Sequence, residues 1–178
     1  MSIRVLAVSG SLRTQSTNTQ LLRACALLAP AVVRIHIYDG LGLLPHFNAD
    51  LDMDDPPSAV AAWRAEIAVA DALLIASPEY ARGVPGTLKN ALDWLAGSSD
   101  VVGKPVALLN GSPRATLAQE SLAITLRTIS ATLVAEVAYL APVLGKSLLA
   151  DDIARDSELS SVLRAALDDL ARIAQARR

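Results

Sequence analysis

The stretch IRVLAVSGSLRTQSTN, Ile3–Asn18, decides the fold. Its first part, Ile3–Val8, is an apolar run interrupted only by Arg4, which is typical of a strand buried on both faces of a parallel sheet. Its second part, Ser9–Asn18, carries mostly hydroxyl and amide side chains, with one glycine and one arginine. A tight turn needs only about two or three such residues, so the pattern predicts a loop that holds something polar.

The alternation of a buried strand with a helix repeats along the whole chain. Further strands are predicted at Ala31–Ile37, Ala72–Ala76, Pro105–Leu109 and Leu133–Tyr139. Helices are predicted at Thr19–Leu28, after an Asp55 cap with Pro56 in the first position, after Pro85, at Ala115–Ala131 and from Ser157 to about Ala174. This order predicts a single α/β domain over residues 1–178, built as a three-layer, doubly wound, five-stranded parallel sheet.

The amino-acid composition and net charge of the chain exclude several classes of function. Apolar residues make up 52% of the chain and the net charge is −2, so no basic surface favours nucleic acid as a partner. The single cysteine, Cys25, falls within the first helical pattern and is predicted to be part of the core. We see neither signal-peptide features nor an apolar run near the roughly 20 residues of a membrane span, and we expect a cytoplasmic protein without a membrane partner.

Ligands of doubly wound sheets lie beyond the carboxyl ends of the strands. Three loops are therefore candidates for chemistry, namely Ser9–Asn18, Ser77–Val84 and Asn110–Arg114. No metal site is predicted among them. The acidic loop Leu41–Asp55 spaces its aspartates like a calcium loop but lacks the required glycine and glutamate, so a solvated loop is the better interpretation.

The first loop has the composition of an anion site. It precedes a helix, whose free N–H groups and dipole attract negative charge. Further donors are Ser11, Arg13, Ser16, Thr17 and Asn18. The motifs G-x-x-x-x-G-K-[ST] and G-x-G-x-x-G are both absent, so one phosphate monoester fits better than a nucleoside triphosphate or a pyrophosphate. A capped polar loop without a ligand is an equally good interpretation of these residues alone.

The second and third loops add candidates of other kinds. In the second, Gly83 and Gly86 allow a flat ligand to approach the backbone, Tyr80 offers a ring, and Arg82 offers a charge for a second ligand. Lys89 and Asp93 are four residues apart and are expected to pair on the surface of the following helix. In the third loop, Asn-Gly indicates a turn and Ser112 is predicted to cap the next helix.

Two motifs together resemble a known family. "GSLR…S.N" after the first strand and "PEY…VPG.LKNALDWL" after the third are similar to the NAD(P)H-dependent FMN reductases, flavodoxin-like flavoproteins that include quinone, azo and chromate reductases. The resemblance implies that the FMN phosphate is held by Ser11, Arg13, Ser16 and Asn18, with Thr17 beside them. It implies that the isoalloxazine is bordered by Pro78, Glu79, Tyr80, Ala81, Arg82 and Gly83, with Ser112 close to the ring.

The sequence also departs from the family's pattern. Relatives often carry a polar triplet such as Asn-Tyr-Ser after "PEY", whereas this chain has Ala81, Arg82 and Gly83. The departure leaves two partners open for Arg82, the phosphate of NADPH or an acidic substrate.

The resemblance implies an enzyme in which NADPH or NADH reduces bound FMN and leaves. A quinone, azo compound, free flavin or metal oxyanion then takes the electrons in a ping-pong cycle. No side chain is predicted as a general acid or base, because hydride chemistry belongs to the cofactor. The alternatives are a flavodoxin-type electron carrier and a non-enzymatic phosphate-ligand binding module. Relatives associate, so a homodimer or homotetramer is expected, with Leu41–Asp55 and the helix after Pro85 at the interface.

Overall fold

The central sheet is parallel in the computed structural model, which describes residues 2–177. Its strands are β1 (Ile3–Ser9), β2 (Val33–Tyr38), β3 (Ala72–Ala76), β4 (Pro105–Asn110), β5 (Thr132–Leu133) and β6 (Tyr139–Leu140). They are arranged in the order β2-β1-β3-β4-β5, and β6 also pairs with β4. Every residue of β3 and β4 is buried, since these strands have neighbours on both sides and helices on both faces.

Helices cover both faces of the sheet. They are α1 (Thr17–Leu28), α2 (Ser58–Val69), α3 (Gly86–Asp93), α4 (Thr116–Thr128), α5 (Ala150–Arg155) and α6 (Ser157–Ala176). Leu21 of α1 and Leu163 of α6 belong to the core on one face, whereas Trp63 of α2 and Leu92 of α3 belong to the core on the other. The predicted three-layer, doubly wound fold is therefore confirmed. None of the helices in the described part of the chain is long and apolar enough to cross a bilayer.

The prediction of one continuous fifth strand at Leu133–Tyr139 is wrong. The chain makes two short strands, β5 and β6, which pair with the two ends of β4. Between the partners of Val106 and Leu109 the outer chain has five residues where β4 has two, so the excess residues bulge outward. Glu136 in the bulge extends into solvent and forms an ion pair of 3.0 Å with Arg127.

Two helix beginnings also differ from prediction. Helix α1 starts at Thr17, two residues earlier than predicted, because the Ser16 side chain caps it. The Asp55 cap is wrong, since Pro57 is the residue before α2 and no side chain caps that helix. Pro57 is extended, with ψ 140°, and this delays the helix beyond the reach of Asp55. Helix α5 was not predicted, because its six residues bury only Ile153.

The prediction that Cys25 is a core residue is confirmed. Its side chain is 0% exposed in the core beneath α1. Burial raises the pKa of the Cys25 thiol to about 12, because the thiolate would be poorly solvated there. The thiol is therefore neutral at ordinary pH, which agrees with a packing role.

Helix α4 ends in a Schellman motif that lacks its usual glycine. The amide of Ser130 donates to the carbonyl of Arg127, and the amide of Ala131 donates to the carbonyl of Leu126. This geometry places Ser130 in the left-handed region, with φ 64°. A side chain in that region costs roughly 1–2 kcal/mol, and glycine avoids the cost.

Ser130→Gly should therefore raise the free energy of unfolding by about 1 kcal/mol. Urea unfolding followed by circular dichroism would measure the change. The matched control is Ser121→Gly in the interior of α4, which should lower stability by about 0.5 kcal/mol because glycine is a poor helix former. An equal loss of stability in both variants would contradict the prediction.

Candidate active site at the carboxyl ends of the strands

One cleft lies at the carboxyl ends of β1, β3 and β4. Its volume is about 250 Å³, and the three loops predicted from the sequence meet around it. It is lined by Ser11, Arg13, Ser16, Thr17, Asn18, Ser77, Pro78, Glu79, Tyr80, Asn110, Gly111, Ser112, Arg114, Ala115 and Leu144. The sheet order explains this convergence, because β1, β3 and β4 are consecutive neighbours and all point the same way.

The structure brings most of the predicted site residues to this cleft. Those lining it are Ser11, Arg13, Ser16, Thr17, Asn18, Pro78, Glu79, Tyr80 and Ser112. The other three, Ala81, Arg82 and Gly83, form or end a turn beyond Tyr80 and do not line the cleft. Among the further lining residues, Ser77, Asn110, Gly111 and Arg114 fall within loops that the sequence already indicated.

Leu144 is a lining residue for which the sequence carries no signal. It follows β6, and its amide and that of Val143 both donate to the carbonyl of Gly111 at 3.0 Å. An apolar residue in a loop is ordinary in any sequence, so only the fold reveals that Leu144 reaches the site.

The first loop and the start of α1 form an anion cradle. Ser16 caps the helix, its Oγ accepting from the amide of Thr19 at 3.4 Å. The amides of Thr17 and Asn18 have no acceptor within residues 2–177, and the first turn of α1 carries no acidic residue. Arg13 lines the same part of the cleft. Free amides, a helix dipole and a guanidinium together suit a phosphate.

Asn18 shows most directly that a ligand fits here. Its side chain is only 7% exposed, yet its Oδ1 has no hydrogen-bond partner in the described structure. A side-chain carbon on Gly111 would approach this oxygen to 3.7 Å and the Val143 side chain to 3.3 Å, so Gly111 leaves the space beside Asn18 open. Buried polar atoms normally have partners, and a hydroxyl donor of a bound ligand would supply one for this oxygen, while Asn18 Nδ2 can donate to a phosphate.

Tyr80 joins the second loop to the first. Its hydroxyl lies 3.3 Å from Ser11 Oγ, although the tyrosine is 49% exposed overall. Ser11 Oγ also accepts from the amide of Arg13 at 3.4 Å. The ring of Tyr80 therefore stands at the boundary between the anion cradle and solvent.

Helix α4 holds the second loop from behind. Glu79 Oε2 accepts from the amide of Ala118 at 2.9 Å, and Gln119 Nε2 donates to the carbonyl of Ser77 at 3.2 Å. The Glu79 carboxylate thus satisfies an N-terminal amide of α4, where negative charge is favoured. With this carboxylate engaged, Arg13 and Arg114 make the cleft attractive to anions.

The prediction that Ser112 caps α4 is wrong. Ala115 is the residue before the helix, and no side chain caps it. Ser112 Oγ instead accepts from the amide of Arg114 at 3.3 Å, and the Ser112 carbonyl accepts from the amide of Ala115 at 3.1 Å. These bonds tighten the third loop into a turn, which leaves Ser112 facing the cleft.

A family model described as NADPH-dependent FMN reductase matches residues 3–143. The chain belongs to this family. The matched residues contain all three loops and every residue that lines the cleft except Leu144. FerB from Paracoccus denitrificans, a flavoenzyme NAD(P)H:(acceptor) oxidoreductase, has a similar structure, with a TM-score of 0.84, 31% identity and 98% coverage of both chains.

Several curated relatives are named quinone reductases. A 2-hydroxy-1,4-benzoquinone reductase of Burkholderia sp is 45% identical over 115 residues, which is 63% of this chain and 62% of that protein. A quinone reductase of Escherichia coli K12 is 35% identical over 113 residues, 62% of this chain and 60% of that protein. The matched segment thus spans about three fifths of each relative's length. The predictions of an FMN cofactor and of NAD(P)H dependence agree with these findings.

The residues present fit FMN. The anion cradle formed by Ser11, Arg13, Ser16, Thr17 and Asn18 would hold its phosphate, and Tyr80 and the backbone of the second loop would border its ring system. When bound, FMN supplies the hydride and electron-transfer chemistry, while the protein supplies binding and orientation. In the part of the chain described, no three His, Cys, Asp or Glu residues are grouped so that they could hold a metal ion.

Proposed function

We propose that the protein is an FMN-dependent NAD(P)H oxidoreductase that reduces a quinone. The observation that carries the proposal is the cleft in which a cradle for one phosphate monoester faces Tyr80 across the carboxyl ends of the strands. The names of the curated relatives favour a quinone over an azo dye, free flavin or metal oxyanion. The Glu79 carboxylate is bonded to Ala118, so we assign no general acid or base.

We propose further that NAD(P)H and the acceptor occupy the same open side of the cleft in turn. The Tyr80 hydroxyl contacts the cradle and the residue is 49% exposed, so we expect both substrates to approach beside its ring. Two substrates that use the same approach cannot be bound at the same time, which favours a ping-pong order. Initial rates measured at several fixed quinone concentrations should then give parallel double-reciprocal lines.

The test begins with the flavin spectrum of protein purified after loading with FMN. NADH and NADPH oxidation is then followed with a benzoquinone, an azo dye, ferricyanide and free flavin as acceptors. Saturable quinone reduction would support the proposal. Bound FMN without NAD(P)H-driven turnover would favour a flavodoxin-type carrier, and failure to bind FMN would favour a binding module for another phosphate ligand.

We also propose that the protein is a homodimer through the loop 41–55 and α3. The loop is firmly held, because Asn90 Nδ2 and Trp94 Nε1 both donate to the Pro45 carbonyl, at 2.9 and 2.8 Å. It nevertheless exposes 76% of Leu43 and 69% of Met53. The same loop also exposes Phe47 and Leu51, and several exposed apolar side chains on one ordered loop are typical of an interaction surface.

The double variant Leu43→Asp with Met53→Asp should shift the protein to a monomer of 18.7 kDa in light scattering. Each protomer would bring two carboxylates into an apolar interface, which is costly, so the dissociation constant of the dimer should rise by at least 100-fold, as about 3 kcal/mol implies. The control is Val102→Asp, at an exposed apolar residue outside the loop 41–55 and α3. A wild-type protein that is already monomeric would contradict the proposal.

A further inference from the structure

The turn beyond Tyr80 has an unusual backbone. Tyr80 and Gly83 exchange both amide-to-carbonyl hydrogen bonds, at 3.1 and 2.9 Å, so Ala81 and Arg82 form a two-residue turn. Both residues are left-handed, with φ 48° at Ala81 and 61° at Arg82. Such turns strongly favour Asn and Gly, and a larger side chain is strained in this region. The chain therefore keeps an arginine at the tip despite a conformational cost, as is frequent at functional sites.

The charge of Arg82 is uncompensated. Its side chain is exposed, and no ion pair or hydrogen bond joins its guanidinium to any of residues 2–177. The net charge of −2 means that Arg82 is not part of a generally basic surface. A guanidinium in this state is available to bind an anion through its forked donors.

The position of Arg82 separates it from the anion cradle. Arg13 and Arg114 line the cleft, whereas Arg82 lies outside it, two residues beyond Tyr80. The Tyr80 hydroxyl contacts Ser11 at the boundary of the cradle, so Arg82 stands on the solvent side of that boundary. The cleft of about 250 Å³ is too small for a whole dinucleotide, so a nicotinamide that enters beside Tyr80 would leave the adenosine half outside the cleft, where Arg82 is exposed.

We infer that Arg82 binds the 2′-phosphate of NADPH and so sets a preference for NADPH over NADH. The inference rests on the proposed function, since it concerns the reductant of the same cleft. An arginine near the adenosine ribose is the usual means by which proteins accommodate this phosphate. Arg82 is a specificity residue in this account and takes no part in hydride transfer.

The test uses Arg82→Asn, because asparagine tolerates the left-handed conformation and preserves the turn while removing the charge. Titration calorimetry on the FMN-loaded protein would compare 2′,5′-ADP with 5′-AMP, which differ only in the 2′-phosphate. We expect the dissociation constant of 2′,5′-ADP to rise about 10- to 100-fold and that of 5′-AMP to stay unchanged. The KM for NADPH should rise similarly, with kcat and the NADH parameters unaltered, and Arg82→Lys should retain part of the preference.

The control is Arg34→Gln, which removes another exposed positive charge, at the amino-terminal end of β2 and away from the carboxyl ends of the strands. It should leave both ligands unaffected. An unchanged NADPH-to-NADH ratio in Arg82→Asn would overturn the inference. So would a variant that loses only turnover of a carboxylated quinone, because the anion would then be the acceptor. If the wild type turns over neither nucleotide, the proposed function fails, whereas the 2′,5′-ADP titration still decides the role of Arg82.

Discussion

Asn18→Leu should lower the affinity for FMN by about 10- to 100-fold and leave the unliganded protein at least as stable as the wild type. The two effects have one cause. Asn18 is buried with an unpaired side-chain oxygen, and such a group destabilises a fold by about 1–3 kcal/mol. Leucine of similar size removes that cost. It also removes the Nδ2 group that would donate to the FMN phosphate, and a hydrogen bond to a charged group contributes about 1.5–3 kcal/mol.

Two titrations would measure these effects. Quenching of FMN fluorescence gives the affinity, and urea unfolding of the apo-protein gives the stability. Asn18→Asp is the matched comparison, because it preserves shape but places a carboxylate in the phosphate cradle, so FMN affinity should fall further than in Asn18→Leu. Wild-type FMN affinity in Asn18→Leu would contradict the assignment of this residue to the cradle.

The sheet and the approximate place of the site could be predicted because their signals are local. The apolar runs at Ile3–Val8 and Ala72–Ala76 are buried on both faces, and such strands need no knowledge of their neighbours to be recognised. The parallel topology then determines which loops share one edge of the sheet. The sequence alone therefore predicts that the polar loop Ser9–Asn18 lies beside Ser77–Val84.

The features that escaped prediction depend on residues distant in sequence. Glu79 caps a helix amide 39 positions away at Ala118, and no local pattern encodes that bond. Leu144 reaches the cleft only because its amide is tied to Gly111. The turn at Arg82 was obscured for a different reason, since it lacks the Asn or Gly by which such turns are recognised.

The division of the outer strand into β5 and β6 could not be predicted for a third reason. Leu133–Tyr139 has the composition of one strand, but an edge strand is paired on one side only. Extra residues can therefore leave the sheet without breaking a second ladder. The pattern of Leu133–Tyr139 indicates that these residues favour a strand. It does not indicate how many residues of β4 are available to pair with them.

Gly10→Ala should destabilise the protein by about 1–3 kcal/mol and weaken FMN binding, because it overpacks the edge at which the site is built. Gly10 follows β1, and its amide donates to the carbonyl of Ala76 at 2.8 Å. A side-chain carbon there would lie 2.7 Å from Ser77 Oγ and 3.1 Å from Leu88 Cδ2. The φ of Gly10 is not positive, so lack of space rather than backbone conformation requires glycine.

A second-site variant tests this explanation directly. Ser77→Gly removes the Ser77 atoms nearest to the new methyl, so Gly10→Ala should cost less in that background, with a coupling of at least about 0.5 kcal/mol in a double-mutant cycle. Gly86→Ala is the matched control, because no atom lies within 4 Å of its new side-chain carbon. Since Gly86 begins α3, alanine should stabilise the protein by about 0.5–1 kcal/mol. If the losses of stability caused by Gly10→Ala and Ser77→Gly simply added in the double variant, crowding against Ser77 would not explain the need for glycine at position 10.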